Sequence, residues 1–515
     1  AMAINSELLS DKEFKKSAEY PMALYNQAYC HFKSGDYAAA RDWFSKYLSC
    51  SDTYFEKDAR IRMADAYYMQ NDYSAAASAY GYDVDRFPGS DDIYPALQAA
   101  RSAGLAGNSL RRIDLLREAV KHRNADLYPN ALYELGRAYA QQGESENASE
   151  CFYSLLGVKS DSTFLTKAML ELAMINSNAG KYDKALDYYR QVIKEAPDTE
   201  DARNALAGME IIYNLLDRPG EYLAYLDNSG MSAVKSKSER ESMIFASAEQ
   251  IYRKGNYQQA ISALQSYISD YPGGAERTKA YYLLAGALDR TGRKEAASDA
   301  YQKVVKAGGE YRGAALGEDA RLCYELEKYK EASGAYALLA GISTMDDERC
   351  GAFSGKMRSD YKARDYAGAA SVADSVLAFS YSSDFVLREA RYVKAKSLIS
   401  IGDREQAMSL FGELASNTSD PFGAESVYML ILNDFNAGDY ESVENRVYAF
   451  SDAGTSQMEW LARSFIVLGD SFVARGERDQ AEATYRSIAE GYRPQGGDDV
   501  LSTVQSRLAE LSSAR

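Results

Sequence analysis

The chain has 515 residues, 46% of them hydrophobic, only nine prolines and a formal net charge of −16. That hydrophobic content excludes disorder by composition, and the acidity argues against binding nucleic acid or an anionic membrane surface. The length is beyond what one core supports, so either several domains or an array whose core grows along one axis is required.

In chain order, residues 4–18 read as the tail of a preceding hairpin. Pro21 then suits the first turn of a new helix. The start, Ala1-Met2-Ala3, reads as added, and AMAINSELLSDKEF has neither a basic nor an apolar leader segment. A leader removed from the native chain is therefore left open.

A short phrase follows and keeps returning. KSGDYAAARDWFSKYL begins at Lys33, MQNDYSAAASAY at Met69, NAGKYDKALDYY at Asn178, RKGNYQQAISAL at Arg253 and NAGDYESVENRV at Asn436. Aligned on the residue in the Gly position, hereafter the slot, the recurrences fall at Gly35, Asn71, Gly107, Gly143, Gly180, Asp217, Gly255, Gly292, Glu327, Arg364, Gly402, Gly438 and Gly476. Successive slots are 35 to 38 residues apart, a period that signals stacked repeats. Apolar residues at helical spacing precede and follow each slot, as in ALYELGRAYAQQ from Ala131 and ALDYYRQVIKEA from Ala185. Each unit thus reads as a helix, a tight turn and a second helix. Gly in the slot allows the left-handed residue that ends a helix, and Asn71 is the next best choice. Asp36, Asp72, Asn256 and Asp439 follow their slots, placed to cap the second helix.

Two columns are small. Five residues past the slot stands Ala in ten units, such as Ala40, Ala148 and Ala260. Seven before it stands Ala or Gly, such as Ala28, Gly136 and Gly469. They mark where the two helices of a hairpin approach closely. Nine past the slot stands a larger residue, often aromatic, as at Tyr80, Phe152, Tyr189 and Tyr485. It is sized to fill space between hairpins.

These columns resemble the tetratricopeptide repeat family over residues 19–492, with Pro88, Pro197 and Pro272 at that family's terminal proline. The family repeat has about 34 residues; this one is longer, the excess lying in links such as DYPGGAERTKA from Asp270. Tyr-Pro-Gly links resemble those of envelope-associated repeat proteins of Gram-negative bacteria. The unit around Asp217 fits worst, with Glu210 in a small column and a short second helix in DRPGEYLAYLD. The polar stretch 228–238 then reads as a loop or hinge, with an array of six hairpins before it (19–227) and seven after it (239–492). Residues 493–515 read as a capping helix, with Leu501, Val504, Leu508 and Leu511 on one face. The resemblance implies an all-α, right-handed superhelical solenoid of about thirteen helix-turn-helix hairpins.

Nothing marks a reaction. The chain has no G-x-S-x-G, H-E-x-x-H or phosphate-binding loop, two histidines without partners at ligand spacing, and five cysteines without a C-x-x-C. The reading is therefore non-catalytic, with no cofactor and no metal. In the tetratricopeptide family the first helices line a groove that takes a protein or peptide. Carried over, the groove positions ten before the slot are Tyr25, Tyr133, Phe245, Tyr282, Tyr392 and Tyr428. Those three before it are Phe32, Tyr68, Tyr252, Tyr324, Tyr361 and Phe435. Six before it stand Arg101, Arg137, Arg321 and Arg358, a cationic stripe expected to favour acidic segments. The function expected is a protein-interaction scaffold in a bacterial envelope, periplasmic or outer-membrane-associated. A glycan-binding uptake component and a cytoplasmic peptide sensor stay open as alternatives.

Overall fold

In the computed structural model, residues 2–51, 53–86, 92–158, 162–379, 382–494 and 496–513 are described, and among them every regular element is helical. The chain divides into two units, 1–234 and 235–515. In the first, a helix Met2–Ser10 precedes six hairpins. Their helix pairs are Tyr20–Ser34 with Tyr37–Leu48, Glu56–Met69 with Tyr73–Arg86, and Tyr94–Leu105 with Ser109–Ala119. Then come Tyr128–Gln141 with Ser145–Leu156, Ser162–Asn178 with Tyr182–Glu195, and Glu200–Leu215 with Pro219–Asn228. The first unit ends on a 3-10 turn, Ser232–Val234.

The second unit holds the seventh to thirteenth hairpins. They pair Lys237–Arg253 with Tyr257–Asp270, Arg277–Arg290 with Lys294–Ala307, Arg312–Glu325 with Tyr329–Ile342, and Asp346–Lys362 with Tyr366–Leu377. Asp384–Ile401 with Arg404–Leu414, Pro421–Ala437 with Tyr440–Asp452, and Met458–Ala474 with Arg478–Gly491 complete them. A last helix, Val500–Ser513, buries Val500 and Val504 against the thirteenth hairpin, with Leu501, Leu508 and Leu511 half-buried beside them.

All thirteen slots adopt positive φ. The non-glycine residues with positive φ among the described residues are Asn71, Asp217, Glu327 and Arg364, the four slots that lack glycine. Helix ends demand that conformation there even where a side chain is penalised by about 1–2 kcal/mol. Asp36, Asp72 and Asp439 accept backbone hydrogen bonds at 3.1 to 3.2 Å and cap the second helices. Asn256 does not: its side chain makes no cap bond. The small columns lie at the helix crossings. Ala40, Ala148 and Ala260 are wholly buried, and a Cβ added at Gly136 would stand 2.7 Å from Phe152. Pro197 and Pro272 directly follow second helices, whereas Pro88 lies outside the described residues.

Candidate functional site

The expected groove positions resolve into three kinds of contact, and most of them hold the fold together. The six aromatics three before the slot each pack on a tyrosine two past it, across the turn of their own hairpin. Phe32 meets Tyr37, Tyr68 meets Tyr73, Tyr252 meets Tyr257, Tyr324 meets Tyr329, Tyr361 meets Tyr366 and Phe435 meets Tyr440. Ring centroids are 5.3 to 5.8 Å apart, in edge-on or tilted geometry. Such pairs contribute about 0.5–1.5 kcal/mol beyond area burial. The Tyr of the recurring Gly-Asp-Tyr is therefore one half of a clasp.

The aromatics ten before the slot join one hairpin to the next. Tyr25 stacks on Phe55 at 5.0 Å and its hydroxyl donates to Asp58 at 2.6 Å. Tyr282 packs on Tyr301 and Tyr311, Tyr392 on Phe422 with its hydroxyl on Glu425, and Tyr428 on Trp460. Phe245 is a correction: only 5% exposed, it lies in the core against Tyr267 and is closed to a partner.

The arginines are a second correction. Arg101 reaches Glu134 at 3.4 Å, Arg137 reaches Glu171 at 3.5 Å, and Arg358 grips Glu389 through two nitrogens at 2.5 and 2.7 Å. Arg321 is shared by Asp289, Glu318 and Glu325. In each case at least one carboxylate belongs to a neighbouring hairpin. The stripe is an ion-pair ladder along the first helices, already neutralised, and the expectation of free cations for an acidic partner fails there. Lys279 with Glu249 and Lys396 with Glu425 extend the same ladder. It was missed because the acidic partners sit in columns that hold no constant residue type.

Parts of the first-helix face stay open, and the larger opening is in the first unit. A cleft of about 620 Å³ lies across the fourth, fifth and sixth hairpins. Tyr133 and Arg137 form one wall, Lys167, Leu170, Glu171 and Met174 the floor, and Asn204, Ala207, Gly208 and Ile211 the other wall. Tyr133 packs between Phe152 and Phe164, and its hydroxyl donates to Glu171 at 3.4 Å. Burial pushes the Tyr133 hydroxyl up to about 12. Burial also raises Glu171, opposed by the Arg137 charge and the Tyr133 hydrogen bond. Met174 and Ile211 remain 47% and 67% exposed in this cleft. Tyr189 backs the cleft beneath Gly208, where a Cβ would lie 2.5 Å from its hydroxyl oxygen. Of the expected groove residues only Tyr133 and Arg137 line this cleft. Leu170, Met174 and Ile211 escaped the sequence reading although they stand ten or six residues before their slots, and Lys167 and Asn204 stand thirteen before theirs, outside the positions considered. At ten and six before the slot the selection favoured Tyr and Arg, and these are aliphatic or thioether side chains.

No group of three or more His, Cys, Asp or Glu able to hold a metal occurs among the described residues, and no described helix is long and apolar enough to cross a membrane. The cysteines are free thiols, Cys151, Cys323 and Cys350 buried and Cys30 and Cys50 half-buried.

Hairpins of this geometry, clasped, laddered and stacked, define a helical-repeat fold of the kind used to bind other proteins. Tetratricopeptide repeat family models match residues 11–55, 129–162, 167–199, 251–315 and 462–487, so these stretches of the chain are similar to tetratricopeptide repeats. No curated protein matches it in sequence. Among solved structures it is similar to MamA, at 19% identity over 33% of this chain and 94% of that one, with a TM-score of 0.28. It is also similar to a structure of Naa15/Naa10 bound to HypK-THB, at 13% identity over 89% of this chain and 78% of that one, with a TM-score of 0.35. A tetratricopeptide repeat protein from Parabacteroides merdae matches at 17% identity over 52% of this chain and all of that one, with a TM-score of 0.27.

Proposed function

We propose that this protein is a non-catalytic scaffold that holds a protein or peptide partner on the first-helix face of its repeats, within a bacterial cell envelope. The observation that carries the reading is the open cleft of the fourth to sixth hairpins. Met174 and Ile211 stay exposed in this concavity, whereas most of the first-helix aromatics and cations described above are spent on the fold itself. The Tyr-Pro-Gly links support the envelope assignment. Capture from an extract of the native cells, with the full chain as bait, tests the interaction. Wild type retains a partner protein, and Ile211→Asp, which alters an exposed position, loses it while melting normally. Equal retention by both baits removes the cleft from the interaction.

A further inference from the structure

In the second unit, the joint between the eighth and ninth hairpins is built around a buried acid. Asp319, on the first helix of the ninth hairpin, is 6% exposed. Its carboxyl group accepts from the Ser298 hydroxyl of the preceding second helix at 2.5 Å and lies 3.8 Å from the Cys323 sulfur, and the Gln302 amide also bonds to it. Ser298 and Cys323 are themselves buried. The next joint holds its acid with a cation. There Ser333, at the same offset from its slot as Ser298, donates to Asp360, and the Lys356 ammonium reaches Asp360 at 2.7 Å and Ser333 at 3.0 Å. Asp319 and Lys356 both stand eight residues before their slots, so the ninth hairpin carries a carboxyl where the tenth carries an ammonium.

Among the described residues no cation is paired with Asp319. Asp299, from the second helix of the eighth hairpin, adds a like charge. On the helix of Asp319 itself, Arg321 is shared by Asp289, Glu318 and Glu325. Lys328, in the turn of the same hairpin, acts on the Cys323 thiol. Lys303 on the preceding second helix and Lys330 on the following one are exposed, and Lys356 is bound to Asp360. Burial among neutral donors disfavours the charged form of such a group.

We propose that this joint is proton-linked: it closes tightly while Asp319 holds a proton and opens more often once the proton is lost. The sign follows from burial. The closed joint keeps the proton to a higher pH than the open, hydrated one. Opening therefore becomes more frequent as pH rises from the ordinary carboxylate value of about 3.9 to the raised closed-state value, by up to about tenfold per pH unit, and then levels off. The ion pairs of the first-helix ladder respond in the opposite sense, because their carboxylates lose charge in acid.

Hydrogen exchange of the full-length protein, resolved by peptide and corrected for the intrinsic rate at each pH, tests this. Between about pH 4.5 and 7.5, opening of the helices Arg312–Glu325 and Lys294–Ala307 rises at least about threefold, and opening of Asp346–Lys362, whose acid has its cation, does not. Asp319→Asn removes the rise and holds both helices at their acid level. Asp319→Leu, a second uncharged replacement, does the same and carries the test if the amide variant melts early. Cys323→Ala, which leaves the carboxyl in place, keeps the rise. Equal opening at both pH values in the wild type overturns the proposal, as does a rise that persists in the uncharged variants or that Asp346–Lys362 shares.

Discussion

At the slots, one backbone conformation overrides side-chain preference. Glu327 and Arg364 are exposed, have positive φ and make no side-chain bond that would repay it. Replacing either by glycine removes the left-handed penalty, partly offset by the greater chain entropy of unfolded glycine. Arg364→Gly and Glu327→Gly are each expected to stabilise the second unit by about 0.5–1 kcal/mol, read as a higher denaturation midpoint at an unchanged denaturant slope. A lower midpoint would mean that these side chains do work not visible in their contacts. Asp319 is the opposite case. It is buried, accepts a hydrogen bond from Ser298 at 2.5 Å and lies 3.8 Å from the Cys323 sulfur, and burial raises its carboxyl while the nearby Asp299 charge adds to the shift. A raised carboxyl destabilises the fold where it is ionised in both states, and that penalty fades as pH falls through the raised folded-state value and is gone below the ordinary carboxylate value of about 3.9. Asp319→Asn should therefore melt higher than wild type at neutral pH, with the gap closing in acid. A gap that widens in acid contradicts the assignment.

Between elements, the clasp and the ladder explain columns that the sequence displayed without explaining. The period, the slots and the small columns were legible because each is imposed by backbone geometry, the slots repeating thirteen times and the small columns ten. The clasp was in plain view as well. Hairpins with Ser, Pro, Lys or Arg two past the slot carry no aromatic three before it, as at Gly104, Ala140, Asn214, Asp289, Ile399 and Val473. What was not legible was which aromatics face a partner, because a ring that closes a turn and a ring that lines a groove occupy the same offset. The arginines misled for a related reason: their carboxylates lie about thirty residues away, in a different column of the neighbouring repeat. A double-mutant cycle of Tyr324→Ala and Tyr329→Ala is expected to give about 0.5–1.5 kcal/mol of coupling, and none if the rings only touch. Ala148→Leu should overpack the crossing of the fourth hairpin by about 1–3 kcal/mol; an unchanged melting temperature would misplace that crossing. Arg358→Ala leaves Glu389 with its side chain 14% exposed and without its cation, and should cost about 1–3 kcal/mol.

Across the whole molecule, the chain changes unit between Val234 and Lys235, in a stretch where Lys237 is exposed and Lys235 and Arg240 are half-buried. Brief trypsin treatment is expected to cut there first and release two fragments that each melt cooperatively; first cuts inside a hairpin would contradict the division. The proposed interaction surface belongs to the first of these units. There Met174 and Ile211 stay exposed in the cleft of the fourth to sixth hairpins. The most direct measurement places a photo-crosslinking amino acid at position 174 of the full-length protein in its native cells, and a second at position 110. Leu110 is 74% exposed on a second helix and serves as the reference. The account predicts a discrete protein adduct from position 174, absent from position 110 and lost when Ile211→Asp is added. Adducts from 174 that match those from 110, or that survive Ile211→Asp, would contradict it.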